Sequence, residues 1–344
     1  MMKKLLNTLY ITDENSFLSK DGENIVILKE GIEIKRFPIH ILDSIICFSY
    51  IGASPAVMKM CSERCVDISF VTPNGRFCGK LVGAENGNVL LRRRQYVMAD
   101  NDESLEFVRN IIYAKGQNSK KVLRRAMIDH RDKVNVEKLD AKIERIEDSL
   151  CKIKQSQTKD SIRGLEGMIA KEYFDCFNDL IIKQKEDFQF TQRIRRPPRD
   201  PVNTMLSFLY TILGHDVASA LASVGIDSYV GFFHTDRPGR MSMALDMIEE
   251  LRAYMVDRAV LSMINLRIIN LKDFMIKENN TVLLTDNGRK KIIENWQRRK
   301  QVEIRHPFLN EKIKVGLIPY IQASLLNRYI RGDLDLYPPF LIKE

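Results

Sequence analysis

The sequence changes character near residue 98, and this change limits the chain to an architecture with two unlike parts. Before it, short segments with alternating or β-branched apolar residues are separated by Gly, Pro, Asn and Asp, which is the pattern of β-strands. After residue 100 the apolar residues recur with helical spacing. We therefore expect an α+β protein, with a small N-terminal β domain over residues 1–98 and a larger all-α helical domain over residues 99–344.

Local signals in the first part predict a hairpin and one helix. Glu30 and Gly31 separate two strand-like runs in NIVILKEGIEIKRF, which favours a tight turn. The segment SPAVMKMCSERC is typical of a helix, with Ser54 as N-cap and Pro55 in the first turn.

The second part reads as a series of helices. An apolar seam on an otherwise charged helix indicates core packing, and its members are Leu139, Ile143, Ile146, Leu150 and Ile153. Thr285 and Asp286 are N-cap candidates for a later helix. Further helices are predicted over 103–116, 119–132, 161–180, 202–222, 241–270, 286–301 and 317–331.

Composition indicates a globular protein of the cytoplasm. Of the 344 residues, 44% are hydrophobic and 29% are charged, a normal balance for a soluble domain. We expect no membrane-spanning helix, because no apolar run approaches the length of ~20 residues that spans a bilayer. The first residues also lack a convincing signal-peptide core. We expect no membrane association.

The six cysteines show no CxxC pair, which favours reduced thiols in a reducing compartment. An alternative is a four-thiolate zinc site, which would use Cys47, Cys61, Cys65 and Cys78.

The net charge of +9 is unevenly distributed and points to a polyanionic partner. Residues 289–314 contain nine Lys or Arg against three Glu. A second cluster precedes the helix that begins near Val202. We expect phosphate contacts from the basic residues of both clusters, and the alternative is an ordinary solvated face. The candidates are Arg193, Arg195, Arg196, Arg199, Arg298, Arg299 and Lys300.

Four residues could place a divalent cation inside this basic chain. Asp246 and Glu249 are three residues apart in a helix-forming stretch, so both project from one face. His234 lies just upstream in GFFHTDRPGR, on a predicted loop, and Glu166 comes from another helix. Carboxylates with one imidazole suit Mg²⁺ or Mn²⁺. Taken singly, each residue has a simpler alternative, as a structural hydrogen-bonding group or a solvated helix residue.

Three ordered motifs give the sequence a recognisable family pattern: RGLEGMIAKEYF, then RRPPRDPVNTMLSFLYTIL, then GFFHTDRPGRMSMALDMIEELRAYMVDR. Together they resemble the CRISPR-associated integrase of the adaptation module, the universal Cas endonuclease that inserts new spacers. The closing IQASLLNRYIRGDLDLYPPFLIK is similar to the subtype I-C branch of that family.

The resemblance implies roles for particular residues. In that family a Glu, a His and an acidic residue on the following helix bind the metal, and these correspond to Glu166, His234 and Glu249. Asp246 is the neighbouring acid, and the choice of direct ligand between Asp246 and Glu249 stays open. The resemblance also implies binding of double-stranded DNA, a homodimer built largely through the strand domains, and a small second adaptation protein that bridges two dimers.

The implied function is a metal-dependent DNA integrase, in which the 3′ hydroxyl of incoming DNA attacks a phosphodiester of the repeat. One alternative is a metal-dependent nuclease of branched or single-stranded DNA, with water as the nucleophile. Another is a noncatalytic DNA-binding scaffold. The sequence lacks GxSxG, Walker and Rossmann motifs, so covalent acyl transfer, nucleotide hydrolysis and hydride transfer are not indicated.

Three further residues in the motifs have two readings each. Arg163, one turn before Glu166, is a candidate to pair with that carboxylate or with a phosphate, with an ordinary intrahelical contact as the alternative. Asn203 is expected to cap a helix, with a DNA contact as the alternative. Tyr210 is expected to be a packed aromatic, with approach to DNA as the alternative.

Overall fold

The computed structural model describes residues 8–11, 13, 15–42, 44–47, 52–71, 77–81, 89–194 and 197–342. The chain divides into two compact units, residues 1–88 and 89–344. The first is rich in β-strands and the second is mostly helical, so the predicted fold class is confirmed.

Two small sheets and one helix make up the described part of the first unit. The strands are β1 (Thr8–Ile11), β2 (Ser16–Asp21), β3 (Asn24–Lys29), β4 (Ile32–Pro38), β5 (Ser44–Cys47), β6 (Asp67–Val71) and β7 (Phe77–Leu81). Strands β2, β3 and β4 form an antiparallel sheet. The other sheet has the order β1-β5-β6-β7, with parallel pairs β1/β5 and β5/β6 and an antiparallel β6/β7 pair.

The predicted turn and helix of this unit are confirmed. Glu30 and Gly31 join β3 to β4 with φ of 52° and 80°, values that favour glycine at the second position. Helix α1 (Pro55–Glu63) begins after Ser54, whose hydroxyl accepts a hydrogen bond from the Val57 amide at 3.3 Å.

The cysteines of the first unit do not converge. Cys47 and Cys61 are buried in its core, whereas Cys65 and Cys78 are exposed. No group of three or more ligating side chains that could hold a metal occurs within the described ranges. The four-thiolate zinc alternative is therefore not supported.

The second unit contains nine described α-helices, one of which is apolar and largely buried. They are α2 (Val89–Asp100), α3 (Leu105–Asp129), α4 (Val136–Gln155), α5 (Lys159–Asp175), α6 (Pro201–Ser223), α7 (Ser242–Glu249), α8 (Arg258–Asn265), α9 (Asp286–Lys300) and α10 (Ile318–Arg331). A π-helical turn, Arg252–Asp257, joins α7 to α8. Two short antiparallel hairpins complete the described part, β8 (Phe274–Ile276) with β9 (Val282–Leu284) and β10 (Glu303–Arg305) with β11 (Lys312–Lys314).

Helix α3 is one continuous helix, so the predicted break between residues 116 and 119 is wrong. The predicted break followed Gly116, a poor helix former. In the fold Gly116 is needed for packing, because a Cβ there would lie 2.6 Å from Leu150 Cδ2 of α4. The prediction of one helix over 241–270 is also wrong, because the π-turn divides this stretch into α7 and α8. Helix α2 was not predicted.

Helices α4 and α6 supply much of the core. The apolar seam of α4 is confirmed, since all five of its members are buried. Helix α6 is long and apolar enough to cross a membrane, so the expectation that no apolar run approaches that length is wrong. However, 83% of its apolar stretch is buried inside the fold. Its composition is thus explained by its place at the centre of the helical unit.

The C-terminal segment is anchored on a buried carboxylate. Glu250 accepts hydrogen bonds from the Tyr337 hydroxyl at 2.6 Å, the Phe340 amide at 2.6 Å and the Gln322 side chain at 3.0 Å. Asn118 of α3 donates to the Phe340 carbonyl at 2.8 Å. Burial raises the pKa of Glu250 to about 7, against the effect of these donors. The segment therefore ties α3 to the residue that follows α7.

We expect Tyr337→Phe to lower the free energy of unfolding by about 1–3 kcal/mol, because a buried acceptor loses a donor. Chemical denaturation monitored by circular dichroism measures the change. The control is Tyr229→Phe, at a tyrosine that is 42% exposed, with an expected change within about 0.5 kcal/mol. Equal stabilities of the two variants would mean that the tail is not anchored in this way.

Candidate metal centre

The four sequence candidates lie on three segments of the helical unit. Glu166 is on α5, His234 is on the loop between α6 and α7, and Asp246 and Glu249 are one turn apart on α7. The predicted placement of His234 on a loop that leads into a helix is confirmed. Glu249 and Asp246 are buried, whereas Glu166 and His234 are partly exposed.

Asp246 organises the His234 loop. Its Oδ2 accepts hydrogen bonds from the amides of Phe232 at 2.6 Å and Phe233 at 2.9 Å. Its Oδ1 accepts from the His234 amide at 2.9 Å and lies 2.6 Å from His234 Nδ1. Since a carboxylate only accepts, Nδ1 carries the proton, and in the neutral ring Nε2 presents its lone pair. Gly231 allows this approach, because a Cβ there would lie 3.0 Å from Asp246 Oδ2.

Lys115 of α3 brings Glu166 and Glu249 together. Its ammonium forms an ion pair with Glu166 Oε1 and lies 2.7 Å from Glu249 Oε2. Lys115 belongs to none of the sequence motifs and was not among the candidate residues. A signal was present in the spacing, because Lys115 follows Ile111 by four residues and precedes Val122 by seven, which puts a lysine on an apolar face of α3.

Arg252 holds the other oxygen of Glu249. Its Nη2 lies 2.9 Å from Glu249 Oε1, and its guanidinium lies 4.8 Å from the centre of the Tyr210 ring. Asp257, at the other end of the π-turn, accepts a hydrogen bond from the Tyr210 hydroxyl at 2.5 Å, so both ends of the turn contact the same tyrosine. Burial opposes ionisation of Glu249, but Arg252 and Lys115 more than offset it, so the pKa of Glu249 falls well below its usual range.

The donor set fits a divalent cation, although the described residues do not form a ready metal-holding group. The Lys115 ammonium stands between the two glutamates, where a cation would lie. His234 Nε2 is 3.9 Å from Glu249 Oε1. That is within the ~4 Å span of two ligands on one ion with bonds of ~2.1 Å. Glu249 Oε2 is buried, and apart from its ion pair with Lys115 it has no hydrogen-bond partner among the described residues. Carboxylates with an imidazole suit Mg²⁺ or Mn²⁺.

Arg163 supports the His234 loop and does not pair with Glu166. One guanidinium nitrogen pairs with Asp160, and another donates to the Phe233 carbonyl at 3.0 Å. The guanidinium also lies 5.2 Å from the centre of the Phe233 ring. The pairing of Arg163 with Glu166 is therefore wrong, and the alternative of an ordinary intrahelical contact, here to Asp160, is confirmed. A phosphate contact stays a prediction.

Arg193 and Asn203 form a hydrogen-bonded pair beside Tyr210. Arg193 donates to Asn203 Oδ1 at 2.6 Å and lies 5.5 Å from the centre of the Tyr210 ring. The N-cap of α6 is Asp200, which accepts from the Asn203 amide at 2.8 Å, so the capping role expected of Asn203 is wrong. Tyr210 is packed, as expected. Arg199 is exposed, and Arg195 and Arg196 lie outside the described residues.

The basic end of α9 is only partly available to a phosphate. Lys300 is buried and its ammonium lies 2.7 Å from Asp216. Arg299 donates to the Tyr254 carbonyl, and burial lowers its pKa to about 10. Both side chains are thus engaged within the helical unit, and their phosphate contacts stay predictions. Arg298 is exposed and stays a candidate.

The fold and the cluster define a class of protein: a strand-rich unit joined in sequence to a helical unit that groups two glutamates and a histidine. The family model described as CRISPR associated protein Cas1 matches residues 9–298. Two curated relatives, each named a CRISPR-associated endonuclease Cas1, are 46% identical to the chain. The one from Chlorobaculum tepidum aligns over 99% of both chains, and the one from Rhodospirillum rubrum aligns over 99% of this chain and all of its own length.

Two solved structures share the fold. A casposase bound to its integration product has a TM-score of 0.83 and 25% identity, and the match covers 97% of this chain and 93% of the casposase. A Cas1 protein from Thermotoga maritima has a TM-score of 0.80 and 21% identity, and the match covers 98% of this chain and all of that one. The chain belongs to the Cas1 family of CRISPR-associated endonucleases.

We expect Asp246→Asn to destabilise the protein by about 1–3 kcal/mol, because an amide turns at least one donor toward the backbone amides of the His234 loop. Denaturant unfolding measures the loss, and ¹⁵N chemical shifts of the His234 ring report any change of tautomer. The control is Asp148→Asn, at an exposed aspartate on α4, which should leave both unchanged. An unchanged stability and tautomer in Asp246→Asn would rule out the positioning role.

Proposed function

We propose that this protein is a metal-dependent DNA integrase that joins the 3′ hydroxyl ends of new spacer DNA to a CRISPR repeat. The observation that carries the proposal is that Glu166 and Glu249, from two helices, pair with one ammonium, while His234 Nε2 from a third segment lies 3.9 Å from Glu249 Oε1. Such a cluster in a chain with a net charge of +9 suits chemistry on a nucleic-acid phosphate.

In this proposal Glu166, His234 and Glu249 hold Mg²⁺ or Mn²⁺. When bound, the ion supplies Lewis acidity at the phosphate under attack. Asp246 is a positioning residue rather than a ligand, because its two oxygens already accept four hydrogen bonds. Arg252 stabilises the ionised form of Glu249. The choice between the two acids of α7 thus favours Glu249.

The proposed partners are double-stranded DNA, a second copy of the chain and a small second adaptation protein. The casposase neighbour was solved with its integration product, and another structural neighbour belongs to a Cas6-RT-Cas1–Cas2 complex, of whose chain the match covers 36%. Exposed Ile32 and Ile34 on β4 support a homodimer through the strand-rich unit. The residues proposed to bind DNA phosphates are Arg163, Arg193, Arg195, Arg196, Arg199, Arg298, Arg299 and Lys300. We further propose that the protein belongs to the subtype I-C branch of the family and is located in the cytoplasm.

A second candidate function is hydrolysis of branched or single-stranded DNA by the same residues, with water as the nucleophile. This candidate is kept because two relatives that are 46% identical to the chain are named endonucleases. The two functions differ in whether the product is a joined strand or a nick.

We expect the full-length protein, with its second adaptation protein, to join short duplex DNA to a supercoiled plasmid that bears a repeat, in Mn²⁺ or Mg²⁺. Labelled duplexes with 3′ hydroxyl ends should give joined product, and duplexes with 3′ dideoxy ends should give none. If both kinds of duplex gave nicked plasmid and neither gave a joined product, the result would indicate the hydrolytic alternative.

Glu166→Ala and His234→Ala should both abolish joining and retain DNA binding in a gel-shift assay, because each loses one proposed ligand. The matched control is His130→Ala, at an exposed histidine that follows α3, which should join as well as the wild type. Normal joining by Glu166→Ala or His234→Ala would remove the basis of the proposed site.

A further inference from the structure

Lys115 is a buried cation in an unusual position. The residue is 7% exposed, and its ammonium contacts the carboxylates of two helices, Glu166 of α5 and Glu249 of α7. Buried lysines are uncommon unless they are paired. Here the pairing is with both of the carboxylates that the proposed function assigns to a divalent cation.

Charge explains why the lysine is there. Glu166, Asp246 and Glu249 place three carboxylates within one cluster, and Arg252 supplies one cation against them. Without Lys115 the cluster would hold an excess of two negative charges in a largely buried space, which is strongly unfavourable. With Lys115 the excess falls to one, and with a divalent cation in its place the cluster is neutral.

Geometry forbids both cations at the same point. The ammonium lies 2.7 Å from Glu249 Oε2 and forms an ion pair with Glu166 Oε1, so it fills the space between the two oxygens. We propose that Lys115 is a built-in counter-cation that holds Glu166 and Glu249 together in the metal-free protein and is displaced when a divalent cation binds. This proposal rests on the proposed function, because it uses the same two ligands.

The chemistry of the side chain suits displacement. A lysine has a flexible four-carbon stem and a compact ammonium, so it can withdraw without rebuilding the helix that carries it. The Glu166 side chain is 21% exposed, compared with 4% for Glu249, so solvent reaches the cluster on the Glu166 side. Arg252 differs, since the Tyr210 ring and Glu249 fix its guanidinium from two directions.

Lys115→Met tests the proposal in the full-length protein without DNA. Mn²⁺ binding is measured by electron paramagnetic resonance of the free ion, and melting temperatures are measured in EDTA and in Mn²⁺. The variant should bind Mn²⁺ about tenfold more tightly or better, because the competing charge is gone. It should also melt at a lower temperature than the wild type in EDTA and recover most of the difference in Mn²⁺.

Lys120→Met is the matched control. Lys120 is on the same helix, is 5% exposed and pairs with Glu147 of α4, away from the cluster. Its loss should lower the melting temperature equally in EDTA and in Mn²⁺ and leave the affinity for Mn²⁺ unchanged. Lys115→Gln, which keeps a hydrogen-bond donor without a charge, should behave like Lys115→Met. If both Lys115 variants fold only when Mn²⁺ is present, the proposal is supported.

Two results would overturn the role of Lys115 and leave the proposed function intact. The first is that both Lys115 variants bind Mn²⁺ no more tightly than the wild type, while the wild type binds Mn²⁺ through Glu166. The second is that both variants fail to fold even in Mn²⁺. By contrast, wild-type protein whose Mn²⁺ binding is absent, or is unaffected by Glu166→Ala, would overturn the proposed metal site itself.

Discussion

Repulsion between clustered carboxylates, one buried and one partly exposed, is the constraint on which the helical unit depends. Glu166 and Glu249 come from different helices, and each would be unfavourable in its place without a cation beside it. Lys115 from a third helix supplies that cation, so one ammonium joins α3, α5 and α7. Arg252 satisfies the remaining oxygen of Glu249. The same residues that hold these helices together thus define the candidate site.

Two further buried carboxylates fix the surroundings of this cluster. Asp246 uses its hydrogen bonds to set the His234 loop and the orientation of its ring. Glu250, next in the chain after Glu249, anchors the C-terminal segment through Tyr337 and Phe340. Because Asn118 of α3 also binds that segment, the helix that carries Lys115 is held by the C-terminal segment as well. The site is therefore supported by rigid elements rather than by flexible loops alone.

Periodic patterns made the fold class, the seam of α4 and the caps Ser54 and Thr285 predictable, because they are local properties of the chain. The continuity of α3 through Gly116 was not predictable, since it follows from contact with Leu150. The candidate ligands came from ordered motifs, whereas Lys115 and Arg252 had no motif of their own. The burial of Lys300 was missed because it depends on Asp216, which is distant in sequence, and the basic run itself contains no sign of that partner.

A crystal structure of the full-length protein grown with Mn²⁺, with data collected at the manganese absorption edge, examines the cluster itself. We expect one anomalous peak at bonding distance from Glu166, His234 and Glu249, with the Lys115 ammonium withdrawn from between the two glutamates. A peak elsewhere in the helical unit, or a manganese-bound molecule in which Lys115 still bridges Glu166 and Glu249, would rule out the arrangement described above.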